Sequence, residues 1–227
     1  MNSFISPEDA ALTERLLKDG YVIERAESME DLAAIRSLCA GVLGWPNLDA
    51  THEHVKPEEL NDLKLRVMAA LNVCDWTRLA YFSLARSALY ALIGNELAMQ
   101  RKFNLNVQMP HDDKSLLPVH ADTWTGDSPY QLVLWVPLTD CYRTKSMYFG
   151  PERKFIEVKY GEVLIFNSSI PHGNVVNEEA TTRWTINCRF KSVWSPYAVK
   201  GPGEHFEPIT LRASSRIGMD YKHPVLA

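Results

Sequence analysis

The sequence predicts a mainly β fold, a double-stranded β-helix or jelly roll, with N-terminal helices packed on the outside of one sheet. Apolar residues recur at helical spacing over 1–100, and short alternating segments separated by turn residues follow over 101–193. Pro and Gly become frequent over 194–227, where we expect an irregular C-terminal cover. With 227 residues, 46% of them hydrophobic, the chain can form one domain spanning 1–227.

The helical part begins with a recognisable start signal, Ser6-Pro7-Glu8-Asp9, in which a capping residue precedes Pro and two acids. Gly20 and Gly44 follow apolar periodic segments, where helices commonly end. Pro57 resembles another helix start, and the segment 77–93 is apolar on more than one face. We therefore predict helices over 7–20, 29–43, from 57 onward and over 77–93, and a short strand over 21–23.

The β part consists of seven predicted strands, over 103–109, 131–138, 146–149, 155–158, 163–166, 173–176 and 184–190. The first of these alternates, so that Asn104, Asn106 and Gln108 share one face. Two interpretations of these amides stay open. They line a polar binding cavity, or they form a solvated outer face.

Composition argues against several classes of protein. A formal charge of −4 and a pI near 6.0 disfavour a nucleic-acid binder. The sequence has no apolar run of about 20 residues, the length that a membrane-spanning helix needs. The N-terminal segment has no basic and apolar signal pattern, and the four cysteines form no Cys-x-x-Cys pair. We expect a cytoplasmic protein with reduced thiols that acts on a small molecule.

The segment His120-Ala121-Asp122 carries the main functional signal. In an extended strand, residues two apart face the same side, so this imidazole and this carboxylate can bind one cation. His172, in Ile-Pro-His-Gly-Asn, can supply a second imidazole from a later strand. Two His and one carboxylate form a facial triad, which leaves three positions of an octahedral Fe(II) open for a co-substrate and dioxygen. The spacing alone also occurs by chance, so its context matters.

Arg183 lies eleven residues after His172, at the start of a predicted strand. An inward-facing Arg there can hold the carboxylate of a dicarboxylate co-substrate through two parallel hydrogen bonds, with Thr185 assisting. Arg189 has the same parity, so it is an alternative carboxylate binder, a contact to an anionic substrate, or an ion-pair partner at the sheet edge. Trp124 and Trp135 are candidates for the substrate boundary or for the core.

In the order of these motifs, the chain resembles the 2-oxoglutarate- and Fe(II)-dependent oxygenases, in particular their phytanoyl-CoA dioxygenase-like branch. The resemblance covers 103–190 and implies that His120, Asp122 and His172 bind Fe(II) and that Arg183 holds 2-oxoglutarate. Asn106 and Gln108 would line the same co-substrate site. O2 is then consumed, 2-oxoglutarate gives succinate and CO2, and the substrate is hydroxylated.

The stretch 120–140 is also similar to oxygenases associated with bacterial surface-carbohydrate gene clusters. This similarity implies a sugar or nucleotide-linked sugar as the substrate. Two other classes remain open at this point. One is a non-redox metal-dependent cupin, such as a sugar isomerase or epimerase, and the other is an inactive binding module; Arg183 favours the oxygenase over the non-redox cupin.

Overall fold

The computed structural model describes residues 4–222, and its N-terminal half is mainly helical. Ser6 and Ser28 cap the first two long helices by accepting hydrogen bonds from Asp9 N and Asp31 N at 3.0 and 3.2 Å. The helices are α1 (Pro7–Asp19), α2 (Met29–Leu43), α3 (Thr51–His54), α4 (Leu60–Val73), α5 (Asp75–Ser83), α6 (Arg86–Ile93) and, near the C-terminus, α7 (Ala213–Asp220).

The described residues form two antiparallel sheets. The strands are β1 (Tyr21–Arg25), β2 (Leu97–Gln100), β3 (Asn104–Gln108), β4 (Leu132–Pro137), β5 (Tyr148–Phe149), β6 (Lys154–Phe155), β7 (Glu162–Asn167), β8 (His172–Gly173), β9 (Arg183–Ser192) and β10 (Phe206–Pro208). In the larger sheet of seven strands the order is β1-β7-β4-β9-β2-β10, with β3 also paired to β9. The smaller sheet has the order β6-β5-β8. The predicted combination of antiparallel β structure and N-terminal helices is confirmed.

Two apolar clusters lie on opposite faces of the larger sheet. One contains the even-numbered residues of β9 from Trp184 to Phe190 together with apolar residues of α2, α4, α5 and α6. The other contains Val133 and Trp135 of β4 and Phe149 of the smaller sheet. Because side chains alternate along a strand, the odd-numbered residues of β9, from Arg183 to Arg189, face the side of the smaller sheet. This is the face on which the candidate site lies.

Several predicted boundaries are wrong. The single helix expected over 77–93 is two helices, α5 and α6, because the backbone of Ala85 leaves the helical region (φ −147°, ψ 28°). The helix expected from Pro57 begins at Leu60. The strand expected over 173–176 is shorter and begins one residue earlier, as β8; after it, both the backbone N–H and the side chain of Asn174 bond to the backbone of Leu117.

The C-terminal segment is more regular than expected. Within the predicted irregular cover of 194–227, β10 pairs antiparallel with β2, and α7 follows it. Pairing with a strand from the helical half supplies order that local Pro and Gly content does not reveal. Residues 223–227 of this cover lie outside the described part of the chain.

Within residues 4–222, no helix combines the length and apolar character that crossing a bilayer requires.

Candidate metal centre

The structure brings together His120, Asp122 and His172, the three predicted ligands. Each offers one ligand atom, and these atoms all lie within 4.8 Å of one another. His120 and His172 face each other across an antiparallel bridge, with N to O distances of 2.9 and 2.8 Å in the two directions. Asp122 begins the short 3₁₀ helix Asp122–Thr125, which directly follows that bridge. Local pairing of two remote segments therefore assembles the cluster.

Both imidazoles are oriented in the same way. Nδ1 of His120 lies 2.9 Å from the carbonyl oxygen of Pro118, and Nδ1 of His172 lies 2.9 Å from that of Ile170. A carbonyl oxygen only accepts hydrogen bonds, so Nδ1 carries the hydrogen and Nε2 keeps a free lone pair. Burial also lowers the pKa of His172, which favours the neutral imidazole that a metal ion requires.

Gly173 allows the close approach that holds His172 in place. A Cβ atom at this position would lie 2.8 Å from the Tyr148 hydroxyl oxygen and 3.0 Å from the backbone oxygen of Leu117. A side chain would therefore force the β8 backbone away from the segment that carries His120.

Arg189 binds the carboxylate of Asp122 through two parallel hydrogen bonds. Its Nε lies 3.0 Å from Oδ2 and its Nη2 lies 2.5 Å from Oδ1. Nη1 donates a third bond, at 3.0 Å, to Oε1 of Gln100. Burial opposes the positive charge, but Asp122 and Asp127 more than compensate and raise the pKa of Arg189. Each carboxylate oxygen retains further lone pairs, so the guanidinium fixes the plane of Asp122 without using all its acceptor capacity.

A second ion pair ties the C-terminal segment to this network. Asp127 is buried, and its Oδ2 lies 2.5 Å from Nζ of Lys200 and 3.6 Å from Nε of Arg189. The backbone N–H of Lys200 also donates to Gly126 O at 3.1 Å. The loop after Asp122 is thus held between β9 and the C-terminal cover.

The three predicted ligands open onto a cavity of about 290 Å³, at the lower end of the range for small-ligand sites. Its apolar lining comes mainly from the cluster between the two sheets and from a loop, and comprises Leu105, Leu117, Val133, Trp135, Met147 and Phe166. Its polar lining, besides the three ligands, comprises Lys64, Asn104, Asn106, Asn174, Arg183, Thr185, Asn187 and Arg189. Apolar residues of β4 and β7 therefore lie beside polar residues of β9 and β3 on one face of the larger sheet.

Arg183 is a buried cation that has no acidic partner in the described part of the chain. It is 3% exposed, and Nη2 donates one hydrogen bond, at 2.6 Å, to Oδ1 of Asn106. Within residues 4–222, Nε and Nη1 have no hydrogen-bond partner, and neither does the hydroxyl of Thr185. Burial lowers the pKa of Arg183 to about 10. A buried guanidinium with unpartnered donors, on a residue that lines a cavity, is a candidate binding group for an anion.

The other predicted site residues divide into two groups. Asn106, Thr185 and Trp135 line the cavity. Gln108 is buried outside the cavity lining; its Nε2 donates to Val175 O at 2.5 Å, and its Oε1 has no partner among the described residues. Trp124 is 64% exposed and also lies outside the lining, because the 3₁₀ helix turns it towards solvent.

Sequence reasoning missed three polar residues of the cavity. Asn187 shares the parity of Arg183 and Arg189 on β9, so strand alternation was a signal that would have revealed it. Asn174 lies two residues after His172, but its bonds to Leu117 N and Ser115 O depend on a distant loop. Lys64 lies on α4, and no local pattern distinguishes it from a solvated helix residue.

Sequence comparison matches part of the chain to a curated protein. None of the models of known protein families matches the chain. The streptomycin biosynthesis protein StrG of Streptomyces griseus is 30% identical over 108 residues, which are 46% of this chain and 53% of that protein. The chain thus spans about half the length of this curated relative.

Solved structures provide a broader match. The non-heme monooxygenase ThoJ, in a complex with Ni, superposes with a TM-score of 0.61 at 19% identity over 84% of each chain. The α-ketoglutarate-dependent carbocyclase SnoK from nogalamycin biosynthesis superposes with a TM-score of 0.59 at 17% identity, over 91% of this chain and 97% of that one. At these identities the likeness establishes that this chain shares the fold of these two proteins.

Proposed function

We propose that this protein is an Fe(II)- and 2-oxoglutarate-dependent oxygenase, with His120, Asp122 and His172 as the iron ligands. The observation that carries the proposal is that three converging ligand atoms and the buried guanidinium of Arg183 line one cavity. Two nitrogens of that guanidinium, Nε and Nη1, have no partner among residues 4–222. The shared fold supports it, since SnoK is described as dependent on α-ketoglutarate, another name for 2-oxoglutarate. We interpret the two sheets as the halves of a jelly roll in a single domain.

The donor set fits Fe(II). Two neutral imidazoles and one carboxylate match the facial triad of non-heme iron enzymes. Both imidazoles present Nε2, because a backbone carbonyl binds each Nδ1, and Arg189 orients the carboxylate. Bound Fe(II) would supply the redox chemistry by which O2 converts 2-oxoglutarate to succinate and CO2 and oxidises the substrate.

Arg183, Thr185 and Asn106 would hold the co-substrate. Nε and Nη1 of Arg183 donate to the C5 carboxylate of 2-oxoglutarate, and the Thr185 hydroxyl adds a third donor. The hydrogen bond from Nη2 to Oδ1 of Asn106 fixes the orientation of the guanidinium. The apolar part of the cavity lining, which includes Val133 and Phe166, excludes water from the reacting groups. In this proposal Arg183 binds the C5 carboxylate of 2-oxoglutarate, and Arg189 binds the carboxylate of Asp122.

The substrate that we propose is a small polar metabolite, such as a sugar or a nucleotide-linked sugar, and the reaction is its hydroxylation in the cytoplasm. The amides of Asn104 and Asn187 in the cavity suit hydroxyl groups, for which they can donate and accept hydrogen bonds. The relative named for streptomycin biosynthesis supports a role in small-molecule biosynthesis. A non-redox cupin would leave Arg183 without a function, and an inactive binding module would not need the oriented triad.

The test is the formation of succinate. Protein purified without oxygen is mixed with Fe(II), 2-oxoglutarate and O2, and succinate is measured against a His172→Ala variant. We expect turnover even without the primary substrate, above the background of the variant. Background succinate, together with no effect of 2-oxoglutarate on the absorption spectrum of the Fe(II) protein, would show that the proposal is wrong.

The two arginines provide matched variants for this assay. Arg183→Ala is expected to raise the Kd for 2-oxoglutarate at least about 100-fold, because two hydrogen bonds to a charged group are lost and each contributes about 1.5–3 kcal/mol. Arg189→Ala is expected to weaken metal binding instead, since it releases Asp122. The reverse pattern would assign the co-substrate carboxylate to Arg189.

A further inference from the structure

Lys64 is a cation in the candidate site that the proposed iron and co-substrate chemistry does not use. It lies on α4 in the helical half and lines the same cavity as the three proposed ligands and Arg183. It also lines a small surface groove beside that cavity, so its side chain lies where the site meets solvent. A substrate that enters by this route contacts Lys64.

The ammonium group of Lys64 has no direct partner. Among residues 4–222 it forms no hydrogen bond and no ion pair within 4.0 Å. Asp112 influences it only at longer range, and burial lowers its pKa. By contrast, Lys114 in the adjacent groove is paired with Glu58 at 3.3 Å. Lys64 is therefore a partly desolvated charge that is available to a ligand.

The charged residues that line the cavity carry a net positive charge. Its lining contains the cations Lys64, Arg183 and Arg189 and one carboxylate, Asp122, which Arg189 already neutralises. Fe(II) and the dianion 2-oxoglutarate would cancel each other. Asp112, which is buried outside the lining, offsets part of the charge of Lys64, but Arg183 and the rest of that charge remain. A cationic substrate would therefore meet unfavourable interactions here.

Two amides, those of Asn104 and Asn187, also line the cavity. Asn104 Nδ2 donates to Asn187 Oδ1 at 3.0 Å, which leaves Asn104 Oδ1 and Asn187 Nδ2 to face a ligand. One acceptor and one donor in fixed positions suit a hydroxyl group.

We propose that the primary substrate is an anion, and that Lys64 binds its phosphate or carboxylate group while Asn104 and Asn187 bind its hydroxyl groups. This inference rests on the proposed function, which it makes more specific. It makes Lys64 a residue that determines substrate specificity, supplied by the helical half to a site formed mainly by strands.

The test uses the full chain loaded with Zn(II) and 2-oxoglutarate, which cannot turn over. Inorganic phosphate and, separately, acetate are titrated while the backbone amides are followed by NMR. We expect one or both to bind at the cavity, and Lys64→Met to weaken that binding about tenfold or more. Lys114→Met is the matched control and should bind as the unchanged protein does. The tighter of the two probes identifies the anionic group.

The possible outcomes are distinct. Absence of anion binding, or equal binding by Lys64→Met and the unchanged protein, would overturn the assignment of Lys64. Succinate formation, measured on the same preparations with Fe(II), tests the proposed function separately. If succinate forms but the anions do not depend on Lys64, the oxygenase proposal stands and the anionic substrate does not. If Zn(II) fails to bind, the titration is repeated on the metal-free protein, where dependence on Lys64 is still measurable.

Discussion

Replacing Arg183 by Met should stabilise the metal-free protein while it abolishes tight binding of 2-oxoglutarate. Burial lowers the pKa of Arg183 to about 10, which corresponds to a cost of roughly 3 kcal/mol for keeping its charge inside. Loss of the bond to Asn106 offsets about 1 kcal/mol of that gain. We therefore expect a net stabilisation of about 1–2 kcal/mol, or an increase in Tm of about 2–4 °C per kcal/mol.

The assay is thermal unfolding with and without ligand. When 2-oxoglutarate is added to the unchanged, Zn(II)-loaded protein at about 100 times the Kd for 2-oxoglutarate, it should add about 2.7 kcal/mol of stability. In Arg183→Met the contribution of 2-oxoglutarate should disappear, although that of Zn(II) should remain. The two effects thus have opposite signs in one variant, which general damage to the fold cannot produce.

Arg189→Met is the matched control, on the same strand and the same face. It leaves the buried carboxylate of Asp122 without its partner, so we expect a loss of about 3–5 kcal/mol. If Arg183→Met destabilises the protein as much as Arg189→Met does, Arg183 has a structural partner and the argument for an external carboxylate is wrong.

Three further predictions concern the surroundings of the site. Gly173→Ala should weaken Co(II) binding about 10- to 100-fold, since its Cβ would lie 3.0 Å from Leu117 O, and Gly201→Ala, with no atom within 4 Å, should leave the Kd unchanged. Trp184→Phe should cost about 1–2 kcal/mol in urea unfolding, because the Nε1 bond to Thr51 Oγ1 at 3.0 Å is fully buried; an unchanged midpoint would contradict this. Burial lowers the pKa of Lys191 to about 8, so between pH 8 and about 10.4 the unfolded state binds more protons. The Tm of the unchanged protein relative to Lys191→Met should therefore rise from pH 7 to pH 10, and a constant difference would refute that assignment.

The candidate site could be predicted from sequence where short-range periodicity applies. Two-residue alternation placed Arg183, Thr185 and Arg189 on one face, and β9 has them on the face opposite the helices. The same alternation placed Asn104 and Asn106 towards the cavity, which resolves the two interpretations left open for those amides. For Gln108 it was insufficient, because the adjoining chain at Val175 covers that end of β3.

The fold was less predictable where tertiary packing overrides local preference. No Gly or Pro marks the break between α5 and α6, so the apolar pattern over 77–93 resembled one helix. The strand β10 follows a segment rich in Pro and Gly, and its order comes from pairing with β2. Both errors arise because neighbouring elements, rather than the local sequence, supply the stabilising contacts.

The sequence by itself determined the ligand types, the parity of the arginines and the division into a helical and a β part, since each depends on spacing along the chain. Tertiary structure decided that Arg189 binds Asp122 and that Arg183 has no acidic partner among residues 4–222. It also brought Lys64 from the helical half to the cavity, and Lys200 from the C-terminal segment to the neighbouring ion-pair network. Periodicity specifies the direction of a side chain, but the group that it contacts depends on segments packed from far away in sequence.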